Sequence, residues 1–155
     1  MTPFLTPLSI EQLREEGIPS PWNFGLKDRV RFGELDVLNH VNNAAYLRWL
    51  ENFRIQYFRD YGVSDYGDDR PRIVLRNIGL EFLGEVHLND AYVITGRTVS
   101  IRRTSWAMEY AVWVGGRQTT GGTAVLVLLN ANGEKIALPD AWRNAFTSRD
   151  SAEQL

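Results

Sequence analysis

The chain of 155 residues contains no cysteine. It can form no disulfide, offers no thiol nucleophile and has no thiolate with which to build a zinc site. Histidine is nearly as scarce. The two imidazoles, His40 and His87, are too few without cysteine to suggest a metal cluster, so no metal is expected. Charge of one sign is also lacking: 17 Lys and Arg against 19 Asp and Glu leave a formal net charge of -2. Without a broad basic field, nucleic acid is not an expected partner. No apolar run approaches the roughly 20 residues a membrane span requires. Glu11, Glu15 and Glu16 stand where a secretory leader would be basic and then apolar, so a cytoplasmic location is expected. Internal repeats and low-complexity segments are missing as well. What remains is a chain of ordinary single-domain length, 44% hydrophobic and with five Trp, enough for one core.

Punctuation along the chain sets its organisation. Residues 1–25 read as an extension with one short helix: Ser9-Ile10-Glu11-Gln12 has capping-box spacing, Gly17 can end the turn, and Pro19 and Pro21 block continuation. Residues 26–155 read as one domain. A strand is predicted over Leu26 to Gly33, then a helix from Asn43 to Tyr61 that stops before Gly62. That helix is apolar on most sides, through Tyr46, Leu47, Trp49, Leu50, Phe53, Ile55, Tyr57 and Phe58, and must be wrapped rather than laid on a surface. Four segments rich in β-branched and aromatic residues follow, Arg72 to Phe82, Ala91 to Ile101, Ser105 to Val114 and Arg117 to Asn130. Gly115-Gly116 and Asn132-Gly133 supply tight turns. The fold class is therefore α+β, an antiparallel sheet curled round one central helix.

The chemistry is concentrated in Glu34-Leu35-Asp36-Val37-Leu38-Asn39-His40-Val41-Asn42-Asn43, directly before that helix. An acid four residues ahead of a His sits beside a helix N-terminus, where backbone N–H groups lack acceptors and the macrodipole is positive. Such an end can hold a carbonyl oxygen as negative charge develops on it, so the arrangement points to acyl transfer to water. Asp36 is the first candidate, as nucleophile or as the base that activates water. The bland alternative makes Asp36 a loop cap and the Asn residues N-caps. His40 could orient Asp36, donate to substrate, or hold the loop through a backbone bond. Asn42 and Asn43 could bind a water or brace the loop. Glu51 is a rival base, since Asn43, Leu47, Glu51 and Arg54 lie near one helical face. Its bland reading is an i, i+3 ion pair with Arg54 inside a tight interior.

The stretch from Val30 to Arg54, VRFGELDVLNHVNNAAYLRWLENFR, resembles the signature of the hotdog-fold thioesterases of the 4-hydroxybenzoyl-CoA thioesterase type. Ile78 to Gly84, Thr104-Ser105 and Ala137-Leu138-Pro139 extend the likeness to roughly residues 26 to 146. By that resemblance Asp36 matches the catalytic acid and the backbone N–H of Asn43 the donor that polarises the thioester carbonyl. A related branch uses a helical Glu, which would be Glu51. The resemblance implies an acyl-CoA substrate, no metal or redox cofactor, and a homodimer or homotetramer with the pantetheine arm between subunits near Thr104 and Ser105. Coenzyme A phosphates would meet Arg97, Arg102 or Arg103. The acyl pocket would draw on Tyr46, Trp49, Phe53 and Trp106. Two departures stand out: Leu38 occupies the position where plant-type acyl-carrier-protein thioesterases have Asn, which weakens that alternative, and Glu34 stands where many relatives have Asp. A hydratase or dehydratase on the same fold and a non-catalytic acyl-binding protein are the remaining alternatives.

Overall fold

In the computed structural model, which describes all 155 residues, the first helix starts where its capping box predicts. Helix α1, Ile10–Glu15, is closed by the Ser9 hydroxyl accepting from the Gln12 N–H while the Gln12 side chain accepts from the Ser9 N–H. Strand β1 covers Gly25–Arg29 and is shorter than expected. The chain turns away after Val30 because Glu34 reaches back to accept from the Arg31 N–H, winding Phe32–Glu34 into a 3-10 turn.

Helix α2, Asn43–Asp60, follows the expected span closely. Gly62, at φ +73°, takes the left-handed position just past the helix end, where a side chain would be strained. Strands β2 (Arg72–Phe82), β3 (Ala91–Ile101), β4 (Ser105–Val114) and β5 (Arg117–Leu129) match the four apolar segments. Gly115 and Gly116 both have positive φ, as a two-residue hairpin between right-twisted strands requires. The sheet runs β1-β3-β4-β5-β2 with antiparallel neighbours, so β2 is a free edge.

Period-2 alternation explains how this sheet holds α2. Trp106, Met108, Tyr110 and Val112 of β4 and Ala124, Leu126 and Leu128 of β5 point the same way and pack with Ala45, Tyr46, Trp49, Leu50, Phe53, Tyr57 and Phe58 of α2 in one core. Each fully buried aromatic or aliphatic side chain there contributes about 1.5–3 kcal/mol. The fit is tightest at Gly96 of β3, where an added Cβ would lie 2.4 Å from the Phe53 ring. Gly96→Ala should therefore destabilise the fold by about 1–3 kcal/mol, read as a lower urea midpoint with unchanged slope; a midpoint equal to the native one would show that Phe53 can move aside freely.

The outward residues of the same strands are not left to water. Leu8, Leu13, Ile18 and Trp22 of the extension cover Val93, Ala111 and Trp113 in a second, smaller core.

Two elements escaped the sequence reading. After Pro139 the chain forms helix α3, Asp140–Asp150, and a short strand β6, Glu153–Gln154, that pairs in parallel with β3. The buried residues Trp142, Phe146 and Asp150 recur every four positions, a helical spacing that was legible but hidden in a polar segment. Asp150, only 5% exposed, accepts from the Tyr57 hydroxyl, the Tyr61 hydroxyl at 2.5 Å and the Thr98 N–H at 2.8 Å, locking α3 onto α2 and β3. No helix is long and apolar enough to cross a membrane.

Candidate active site

Asp36 sits in a hairpin whose ends are Leu35 and Val41, paired as an isolated bridge. The Asp36 N–H donates to the His40 carbonyl at 2.9 Å and the Asn39 N–H to the Asp36 carbonyl at 3.1 Å, with Asn39 at φ +63°, a conformation Asn tolerates. One carboxylate oxygen of Asp36 accepts from the Leu38 N–H at 2.9 Å. The side chain is thus oriented by its own turn but remains exposed and carries no ion pair.

Glu34 fastens this hairpin to the helix. Its carbonyl accepts from the Asn42 N–H at 2.8 Å and the Asn42 side-chain amide at 3.0 Å, and its carboxylate accepts from the Trp49 indole at 2.5 Å. Asn42 in turn caps α2 by accepting from the Ala45 N–H at 2.9 Å. Asn42 therefore braces the loop, and Glu34 is the residue whose role the sequence did not disclose. Glu34→Ala strands the buried Trp49 indole and frees the hairpin. Turnover at a site built on this hairpin should fall about tenfold or more from misplacement alone, beside a stability loss of about 1–3 kcal/mol; native turnover in the purified variant would refute this.

Asn43, the first residue of α2, is exposed, and so is Ala44; neither N–H has an acceptor within the chain. Two unclaimed donors at the positive end of an 18-residue helix thus follow directly on a hairpin that presents a carboxylate. That pairing suits an acyl carbonyl polarised from one side and attacked from the other.

Sequence comparison gives this geometry a family. The family model described as the thioesterase-like superfamily matches residues 30–146, which take in the hairpin, α2 and every strand from β2 to β5. The chain belongs to the thioesterase-like superfamily. Among solved structures, a thioesterase-superfamily protein from Jannaschia sp. CCS1 is 45% identical over 100% of both chains, with a TM-score of 0.94. A thioesterase from Thermus thermophilus, solved in complex with coenzyme A and Zn, is 31% identical over 82% of this chain and 94% of its own, with a TM-score of 0.70. The DHNA-CoA thioesterase of Staphylococcus aureus, at 15% identity over 82% and 90% and a TM-score of 0.73, shares the fold. No curated protein matches the chain significantly. The architecture is accordingly the hotdog fold, as expected.

Within this thioesterase-superfamily fold the other candidate residues are distributed unevenly. The His40 ring makes no hydrogen bond or ion pair with the Asp36 side chain; its backbone carbonyl holds the hairpin while its ring turns to Glu85, at 3.4 Å, and lies edge-on to His87 at 5.9 Å. Glu85 bridges both imidazoles, with His87 at 3.2 Å, a contact no local motif announced. Tyr46 is buried against Trp49 and Phe82. Burial also raises the Tyr46 hydroxyl above its ordinary pKa, so it remains protonated at neutral pH. Trp49 and Phe53 line a cavity of about 320 Å³ between α2 and strands β1 and β3, whereas Trp106 is packed among Phe58, Trp142 and Phe146 deep in the core.

Thr104 and Ser105 lie half-buried at the β3–β4 turn beside Arg102 and Arg103, whose side chains are exposed and form no ion pair. Arg97 is already committed, paired to Glu109 at 2.6 Å and set over the Trp22 ring. The expected Glu51–Arg54 ion pair is absent. Glu51 stays exposed with Asn43 and Leu47, but Arg54 is rotated into the fold and donates to the Tyr110 hydroxyl at 3.3 Å. Glu51 also lies eight residues beyond Asn43, roughly 12 Å along the helix.

Proposed function

We propose that this protein is an acyl-CoA thioesterase in which Asp36 drives hydrolysis and the N-terminus of α2 holds the carbonyl oxygen. The observation that carries this is the exposed Asp36 carboxylate, fixed by the Leu38 N–H, ahead of the unclaimed N–H groups of Asn43 and Ala44. In the water route Asp36 takes a proton as water adds to the thioester carbonyl, and the α2 N–H groups stabilise the oxyanion. Collapse breaks the carbon–sulfur bond, and the departing thiolate recovers the proton. In the anhydride route Asp36 adds directly, thiolate leaves, and water cleaves the mixed anhydride. Hydrolysis in oxygen-18 water separates them, because only the anhydride route can leave label in Asp36.

Arg102 and Arg103, free of ion pairs beside Thr104 and Ser105, are the cations open to coenzyme A phosphates; Arg97 is held by Glu109. The reaction calls for no metal or redox cofactor, and we place the enzyme in the cytoplasm as a homo-oligomer. Association is favoured by β2, an eleven-residue edge strand with Leu75 and Phe82 exposed, which a single copy leaves unpaired. Thiol release from a panel of short, long and aromatic acyl-CoA substrates tests the function: turnover identifies the acyl class, and no turnover on any of them would overturn the proposal.

A further inference from the structure

The cavity of about 320 Å³ between α2 and strands β1 and β3 lies toward the opposite edge of the sheet from β2, so an oligomer built on β2 leaves it open. It is also on the far flank of α2 from Asn43. Asn52 and Gln56, which line it, stand about 180° and 220° round the helix from Asn43 at roughly 100° per residue. The reaction proposed above makes no use of this space. Its polar groups are uncommitted: Tyr92 is only 2% exposed, yet its hydroxyl makes no hydrogen bond within the chain, nor do the Asn52 and Gln56 side-chain amides. Burial, with Asp28 and Glu34 nearby, holds the Tyr92 phenol well above its ordinary pKa, so it stays a neutral donor. The charged groups at the cavity are already paired, Lys27 with Glu16 at 2.7 Å and Arg31 with Asp28 at 3.7 Å, and none of them calls for an ionic ligand. The apolar wall is flat. Trp49 and Tyr92 are stacked with centroids 3.9 Å apart, beside Leu26, Phe53 and Ile94. Leu5 of the N-terminal extension completes the rim, 67% exposed and at φ +59°, a backbone that a bulky side chain rarely adopts and that recurs at ligand clamps.

We propose that this cavity is a second binding site, apart from the reaction centre, for a small neutral aromatic molecule that carries a hydroxyl. The ring packs on the apolar wall, and the hydroxyl exchanges hydrogen bonds with Tyr92 and the carboxamides of α2. A phenol is the simplest ligand of this kind. The volume is at the small end of ligand sites, which suits one or two rings. Trp49 ties the site to the hairpin: it forms one wall, and its indole donates to Glu34, whose carbonyl holds Asn42 at the head of α2. A ligand against Trp49 thus acts on the placement of Asp36 without entering the reaction. The extension gains a role as well, since Leu5 supplies a wall that the strands and α2 do not.

Titration of the nitrogen-15-labelled chain with phenol and with toluene, followed by amide NMR shifts, tests the site. Phenol should move the Asn52 and Gln56 signals, saturate at one molecule per chain and bind about fivefold or more tighter than toluene, which has the ring without the hydroxyl. Tyr92→Phe keeps the stack on Trp49 and deletes only an unpartnered hydroxyl, so it should weaken phenol about fivefold or more and toluene by less than about twofold. Asn52→Leu, at an exposed position of α2, is the second variant and should act in the same direction. Toluene bound as tightly as phenol, or shifts centred elsewhere, would overturn the site. Thioester turnover with phenol present then tests the link to the hairpin: kcat should change by about twofold or more at saturating acyl-CoA. An unchanged kcat would overturn the link through Glu34, and inhibition that rising acyl-CoA removes would overturn the separate site and give the cavity to the acyl group. The NMR titration needs no turnover, so failure of this site and failure of the thioesterase proposal are distinguishable.

Discussion

Asp36→Asn is expected to lower thioester hydrolysis by roughly 10²- to 10⁴-fold, the range that a positioned acid–base group contributes, while leaving the fold intact. The substitution separates chemistry from structure because the amide oxygen can still accept the Leu38 N–H that orients the native carboxylate. The turn bonds between Asp36, Asn39 and His40 are made by the backbone and survive as well. Asp36 is exposed and unpaired, so the change in stability should stay within about 0.5 kcal/mol. What the variant lacks is the ability to take a proton from water or to attack a carbonyl. Thiol release under saturating substrate, set beside the thermal unfolding midpoint, is the measurement. A folded variant within threefold of native turnover would remove Asp36 from the reaction.

The largest loss of stability should come from Asp150→Ala, far from that hairpin. Three donors converge on this carboxylate, from Tyr57, Tyr61 and Thr98, and the Arg149 guanidinium lies 3.8 Å from the Tyr61 ring nearby. Alanine leaves the Tyr61 hydroxyl and the Thr98 N–H without acceptors; Tyr57 alone has a substitute, the Thr98 hydroxyl at 2.9 Å. Buried donors left unsatisfied cost about 1–3 kcal/mol each. A total of about 3–5 kcal/mol corresponds to roughly 10 °C in Tm for a chain of this size. Asp150→Asn should lose far less, since its amide can accept from Thr98 and Tyr57 and donate to Tyr61.

The same carboxyl also gives the native fold a pH dependence that the variants lack. Burial outweighs the three donors and holds the Asp150 carboxyl above its ordinary pKa. The native state then binds this proton more tightly than the unfolded chain, so its contribution to stability falls as pH rises from the ordinary value through the raised one, and is level above it. Asp150→Asn should abolish that slope in denaturant titrations between pH 3 and 7. An unchanged slope would mean that other carboxylates set the acid behaviour.

Much of this architecture could be read in advance because the informative signals are local. The Ser9 capping box, the Gly115-Gly116 turn and the apolar runs of β2 to β5 each specify their own geometry from adjacent residues. The hairpin around Asp36 was legible for the same reason, since its acid, turn residue and helix cap lie within ten positions. Long-range partners were not legible. Nothing near Arg54 tells that it reaches Tyr110 rather than Glu51, and nothing near His40 announces Glu85, 45 positions away in the chain. Helix α3 was missed because its buried stripe includes an aspartate, which reads as solvent-facing until Tyr57, Tyr61 and Thr98 are seen around it.

The cover that the N-terminal extension lays over the outer face changes what specifies the alignment of β3 against β4. In a sheet with one wet face, a slip of one residue exposes the whole apolar set, and that penalty alone fixes the pairing. Here the penalty is blunted, because Tyr92, Ile94, Tyr110 and Val112 look into one core while Val93, Ala111 and Trp113 look into another. A slipped alignment would still bury oil on both sides. What discriminates is shape: Gly96 admits the Phe53 ring at a single position, and the Trp113 indole finds the Thr95 hydroxyl at 2.9 Å only in the native frame. The sheet is aligned by steric and hydrogen-bond fit, with hydrophobicity supplying cohesion but little information.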